Sequence, residues 1–185
     1  MNLMITNRAA SQTKAIGAPT DFLSYGTSDS ALGVVLVARS SKGVCAVLLG
    51  DNDAVLQADL ASRFPETTIL ANQIAVRGDL AKVVRFMEKP AEGLDLTLDM
   101  RGTPFQRRVW EKLRAIAVGR TVSYMELARW ISPLASPRAV AGACAANPIA
   151  LAVPCHRVVR NNGDLAGYRW GIERKRALLQ MEAAI

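Results

Sequence analysis

The chain has 185 residues, half of them apolar, and a formal net charge of +7 from 23 Lys and Arg against 16 Asp and Glu. That length exceeds a minimal domain and suits one or two small ones with real cores. It holds no run of about 18 apolar residues for a membrane span, and Met1–Pro19 lacks the apolar block of a signal peptide, so a cytoplasmic protein is expected.

In chain order, residues 1–20 show no hydrophobic period and are expected to be a flexible tail. Leu32–Ala38 and Val44–Leu49 are short apolar runs around Arg39–Gly43, the pattern of a β-hairpin in which Gly43 supplies a positive φ. Leu56, Leu60 and Phe64 recur at helical spacing until Pro65. A second helix from about Asn72 to Lys89 is expected to bury Ile74, Leu80, Val84 and Met87, and Leu94–Leu98 alternates like a half-buried strand. Residues 21–98 thus read as a small α/β domain without visible chemistry.

Residues 99–185 differ in charge and in pattern. Met1–Leu98 carries 9 basic and 10 acidic residues, whereas Asp99–Ile185 carries 14 and 6. Such asymmetry points to one half that meets a polyanion, since Lys and Arg that neutralise phosphates supply most sequence-independent affinity for DNA. Three helix starts follow. Thr103-Pro104-Phe105-Gln106 and Ser123-Tyr124-Met125-Glu126 are capping boxes, and Ser136-Pro137-Arg138 opens a third helix. The first helix places Phe105, Val109, Leu113 and Ile116 on one face; the second and third, joined by a short turn, have the helix-turn-helix layout. The third offers Arg138 and then almost only Ala, Gly and Cys, so it lacks the long polar side chains that read base edges. Small residues let a backbone approach a groove closely and leave Arg138 as the one probe long enough to enter a duplex.

Ile149–Val153 reads as a buried extended run that delivers Cys155 to its end. Cys155 is one of three cysteines, with Cys45 and Cys144, and it precedes the only histidine, His156. An odd number of widely spaced cysteines with one histidine makes neither a zinc site nor a disulfide framework, so thiols, no metal and no cofactor are expected. A thiol is nucleophilic as its thiolate, and a neighbouring base or cation is the usual activator; His156, Arg157 and Arg160 bring both next to Cys155. On an extended backbone Cys155 and His156 face opposite sides, so a turn or a bridging water must intervene, and Pro154 favours the turn. Asn161-Asn162-Gly163-Asp164 marks another turn, and a last helix from about Ile172 to Met181 carries Leu178 and Leu179, with Glu182 near its end.

From about Asp99 to Glu182 the chain resembles the O6-alkylguanine-DNA alkyltransferases, through Arg101-Gly102-Thr103-Pro104-Phe105, Val122-Ser123-Tyr124, Arg138-Ala139-Val140, Asn147-Pro148, Pro154-Cys155-His156-Arg157-Val158-Val159 and Gly167-Tyr168-Arg169-Trp170-Gly171. The resemblance implies an α/β fold: a ribonuclease-H-like amino-terminal domain, then a mainly helical, winged helix-turn-helix-like DNA-binding domain. It implies a monomer that accepts the alkyl group of O6-alkylguanine in double-stranded DNA onto Cys155, once and irreversibly, with little sequence specificity. O4-alkylthymine stays open as a second substrate. His156 would activate the thiol through a water, Glu182 would orient the imidazole, and Asn147 would brace the turn beneath the sulfur. Tyr124 would help extrude the nucleotide and donate to the guanine ring, while Arg138 filled the vacated stack. The DNA-contacting set is then Arg138, Ala139, Ala145, Arg157 and Tyr124, and Val158, Tyr168 and the main chain at Arg169 would wall the base pocket. Arg169 stands where many relatives carry serine. The alternative from another class is a non-catalytic damage sensor or DNA-binding regulatory module.

Overall fold

The hairpin expected between Leu32 and Leu49 forms one side of the amino-terminal sheet, and the carboxy-terminal half of the chain is laid against its outer strand. The structure is a computed structural model and describes residues 22–184, so the expected tail lies outside the described residues. Strands β1 (Phe22–Ser30), β2 (Gly33–Ser40), β3 (Gly43–Gly50) and β4 (Thr68–Ala71) form one sheet in the order β3-β2-β1-β4. β1 and β3 pair antiparallel with β2, and β4 pairs parallel with β1. Helices α1 (Asp53–Arg63) and α2 (Gln73–Glu88) start at Asn52 and Asn72, whose side chains accept from Val55 N and Ala75 N.

Two expectations for this half are corrected. Ile74 is 82% exposed, and the buried face of α2 is made by Val76, Leu80, Val83, Phe86 and Met87. Leu94–Leu98 forms no strand; its end reaches the sheet through a single bridge between Leu98 and Val44.

Every residue of β3 is buried although it ends the sheet. Its outer edge is covered by the carboxy-terminal half: Val44 N donates to Thr97 O at 2.8 Å, Asp99 N to Val44 O at 2.8 Å, Val47 N to Pro148 O at 2.9 Å and Ala150 N to Val47 O at 2.9 Å. An unpaired edge is thereby removed, and the segment that leads into Cys155 is fixed to the sheet. Gly43 makes the first contact possible, with φ 147° and a Cβ position that would lie 2.5 Å from Thr97 O.

The carboxy-terminal half is mainly helical, with α3 (Pro104–Arg114), α4 (Tyr124–Ile131), α5 (Pro137–Ala145) and α6 (Ile172–Ala183). Both capping boxes form, and Ser136 Oγ accepts from Ala139 N at 3.1 Å. Trp110 Nε1, buried on α3, donates to Ala143 O at 2.9 Å and ties α3 to α5. Strands β5 (Val122–Ser123) and β6 (Val158–Val159) pair parallel and join the start of α4 to the segment after Cys155. No helix among the described residues is long and apolar enough to cross a membrane.

The segment before Cys155 is not the extended run expected. Ile149 makes one bridge to Val47, and then the chain turns: Val153 N donates to Ile149 O at 3.0 Å, and Leu151 has φ 67°. A leucine in the left-handed region is costly, and this one is held by its own burial and by the bonds of Ala150 N to Val47 O and Val153 N to Ile149 O on either side.

Candidate active site under the helix-turn-helix

Cys155, His156 and Arg157 form a single 3₁₀ turn after Pro154. The turn, which Pro154 predicts, sends the cysteine and the histidine in different directions. Cys155, 5% exposed, faces a cavity of about 420 Å³ whose other walls are Tyr124 of α4, Ala141, Cys144 and Ala145 of α5, and Ala166–Arg169. His156 points away into the interior and is fully buried.

Asn147 is fully buried beneath the sulfur. Its Nδ2 donates to Val153 O at 2.8 Å and to Cys155 Sγ at 3.3 Å, while its Oδ1 accepts from Ile149 N at 2.9 Å. One side chain thus closes the turn and gives the sulfur a donor, which stabilises the thiolate. Burial pushes the Cys155 thiol up to about 11, against the pull of Asn147 and of the Lys175 charge. At neutral pH the resting sulfur is a thiol that must lose its proton as it attacks.

The base arrangement lies behind it. Nε2 of His156 is 2.8 Å from Oε1 of Glu182, and an ionised carboxylate can only accept, so Nε2 carries the proton and Nδ1 is left as the basic nitrogen. Nδ1 is buried and has no hydrogen-bond partner among the described residues. Arg157 grips the same carboxylate with two bonds of 2.8 Å, from Nε to Oε2 and from Nη2 to Oε1, and its Nη1 donates to Ile116 O. Burial works against the Glu182 charge, but the hydrogen bonds and charges of His156 and Arg157 overcome it and hold the carboxyl at about 2. Because Arg157 already balances that charge, Glu182 orients the imidazole without forcing a second proton on it. Burial accordingly keeps the His156 pKa below its ordinary value.

This removes Arg157 from the DNA-contacting set: a guanidinium that is buried and held by Glu182 and Ile116 O is not free to meet a phosphate. Val158 also departs from expectation. Its side chain is fully buried off the cavity, and its contribution is a carbonyl that accepts from Lys175 Nζ. Tyr168 and Arg169 do line the cavity, the Tyr168 ring meeting His156 and Trp170 edge-on at 6.4 and 5.1 Å. Tyr124 sits at the first position of α4, and burial followed by the nearby thiols pushes its hydroxyl up to about 12, so it remains a donor. Arg138, Ala139 and Ala145 lie exposed on α5, and Arg138 forms no ion pair among the described residues.

Lys175 was missed. It is fully buried on α6, with Nζ donating to Val158 O at 2.5 Å and Ala166 O at 3.4 Å. Burial lowers its pKa, and the sulfurs of Cys155 and Cys144 are the groups that favour its charge. Its spacing was a signal: Lys175, Leu178 and Glu182 fall at i, i+3 and i+7, one face of a helix.

The fold and the site define a two-part protein in which a buried sulfur, imidazole and carboxylate sit under a helix-turn-helix. Residues 104–184 match the family model described as 6-O-methylguanine DNA methyltransferase, DNA binding domain. The chain is 46% identical over 159 residues to the bifunctional transcriptional activator/DNA repair enzyme Ada of Escherichia coli, covering 86% of this chain and 45% of that protein. It is 37% identical over 120 residues to the inducible methylated-DNA–protein-cysteine methyltransferase of Bacillus subtilis, covering 65% of this chain and 67% of that one. A crystal structure of Mycobacterium tuberculosis OGT in complex with DNA superposes with a TM-score of 0.69 at 36% identity, covering 87% of this chain and 93% of that one. The chain spans less than half the length of Ada. It belongs to the O6-methylguanine-DNA methyltransferase family.

Proposed function

We propose that the protein reverses alkylation damage in double-stranded DNA by moving the alkyl group of O6-alkylguanine onto Cys155, once per molecule. The observation that carries this reading is the Cys155 sulfur at the wall of a cavity of about 420 Å³, roomy enough for a purine, with Asn147 beneath it and the His156–Glu182 pair behind. In the transfer, Sγ forms a bond to the alkyl carbon as the carbon–O6 bond breaks. The thiol proton passes through a bridging water to Nδ1 of His156, Tyr124 gives its proton to the guanine ring so that a neutral base leaves, and the proton held on His156 then returns through water to the Tyr124 oxygen, so that the net transfer is from the thiol to the base. Lys175 supplies the positive charge that a buried thiolate needs. A thioether has no ready route to hydrolysis, so the protein is consumed.

Two domains serve this chemistry, 21–98 and 99–185, in a monomer acting in the cytoplasm. Exposed Arg138 at the start of a helix of small residues suits entry into the stack behind an extruded nucleotide. Arg138→Ala is therefore expected to slow transfer from duplex DNA about tenfold, because unstacking costs a few kcal/mol, and to leave transfer from a short single-stranded oligonucleotide within about twofold. Equal losses would remove Arg138 from this role. Lys175→Met, close in shape but uncharged, is expected to slow thiol alkylation by iodoacetamide about tenfold, the equivalent of one pKa unit; an unchanged rate would remove Lys175 from the electrostatics.

The function is tested by incubating the protein with excess duplex carrying radiolabelled O6-methylguanine. The label on protein should plateau at one methyl per molecule. Repeated turnover would indicate a hydrolase, and tight binding without transfer a sensor.

A further inference from the structure

The loop that walls the cavity is held from outside its own domain. Between Gly167 and Gly171 the main chain makes one turn bond, Gly171 N to Tyr168 O at 3.0 Å. Arg169 lines the cavity, and its Nη2 donates at 2.8 Å to Oδ1 of Asp59 on α1. Asp59 is itself fixed, since its Oδ2 accepts from Arg63 Nε at 3.1 Å. Just beyond the loop, Arg174 donates to Trp170 O at 2.9 Å and to Leu32 O at 2.8 Å, and pairs with Asp51. Gly33 admits that contact: a Cβ there would lie 3.1 Å from Arg174 Nη2. Asp51, Asp59, Arg169, Trp170 and Arg174 line a crevice of about 490 Å³ between the sheet and the loop.

We propose that the amino-terminal domain positions the wall of the substrate cavity through Arg169–Asp59 and Arg174–Leu32, with Asp59 as a positioning residue for alkyl transfer. This rests on the function proposed above and gives the amino-terminal half a role in it. Acidic side chains of that half hold basic ones of the other, so Tyr168 and Arg169 stay in the cavity wall with Cys155. The helix-turn-helix surface is not part of the clamp. Loosening the loop therefore slows transfer in the bound complex and spares DNA affinity.

The test is a double-mutant cycle in the full chain with Asp59→Ala and Arg169→Met. Single-turnover transfer from duplex O6-methylguanine is measured at saturating DNA, with affinity for undamaged duplex alongside. Each single change is expected to lower the saturated rate about threefold, modest because a part-exposed ion pair is weak. The double change should lose no more than either single one, and Arg169→Lys should recover most of the rate, with affinity within about twofold throughout. Additive losses, or unchanged rates, would overturn the clamp. Amide hydrogen exchange reads the clamp without the chemistry: residues 167–171 should exchange faster in Asp59→Ala, and unaltered exchange there would equally overturn it. Wild-type protein that transfers no alkyl group, yet shows that exchange difference, would contradict the proposed function and not the clamp.

Discussion

Glu182→Gln is expected to destabilise the protein by about 3 kcal/mol, near the lower end for breaking a buried ion pair, and to lower the melting temperature by about 6–12 °C at this chain length. The change keeps the shape of the side chain but leaves the Arg157 guanidinium buried without a counter-charge, and the new amide cannot satisfy both His156 and Arg157 as a carboxylate does. The pH dependence follows from the same group. The folded carboxyl titrates near 2 rather than at its ordinary 4.5, so its stabilisation is complete above about 4.5 and is lost as pH falls toward 2. Melting curves of wild type and variant should therefore converge on acidification across that window. Curves that stay parallel down to pH 2 would contradict the account of Glu182.

His156→Ala should separate chemistry from stability. Glu182 keeps both of its bonds to Arg157 in that variant, so the domain should survive with a smaller loss, about 2 kcal/mol for the cavity left behind. Alkyl transfer should fall by about 10²–10⁴, the range a positioned general base supplies. Burial keeps the folded His156 pKa below 6.5, so the wild-type rate should stay flat as pH falls through 6.5 and decline only below it. The sign for stability is the matching one: the unfolded chain takes up a proton near 6.5 that the folded protein refuses, so this group costs stability as pH drops below that value. Stopped-flow single-turnover rates across pH, with wild type and variant side by side, check both statements. A variant with the wild-type rate, or with the same acid limb, would show that Nδ1 is not the base.

What was legible in the sequence was local. The capping boxes at Thr103 and Ser123 specify helix starts through contacts three residues long, and Arg138 stood out because its own helix offers nothing else polar of that length. The Cys155–His156 pair pointed to the candidate site, and Pro154 announced the turn that separates them. What was not legible depends on partners far along the chain. β1 contains Ser24, Gly26, Thr27, Ser28, Asp29 and Ser30 and looks like a loop, yet its pairing with β2 makes it a nine-residue strand. Ile149–Val153 reads as extended because it is apolar, but docking of Ile149 on Val47 spends only one residue and the chain then turns under Asn147. Arg157 looks like a phosphate ligand until Glu182, 25 residues later, is seen to claim it. Asp59 and Arg169, 110 residues apart, leave no local trace at all.

Alkyl transfer to Cys155 is decided most directly by where the carbon goes. Protein incubated with duplex O6-methylguanine, then digested and read by peptide mass spectrometry, should carry a single added methyl on the peptide containing Cys155, with Cys45 and Cys144 unchanged and no such peptide from Cys155→Ala. A methyl found on Cys144, or guanine restored while Cys155 keeps its original mass, would contradict it.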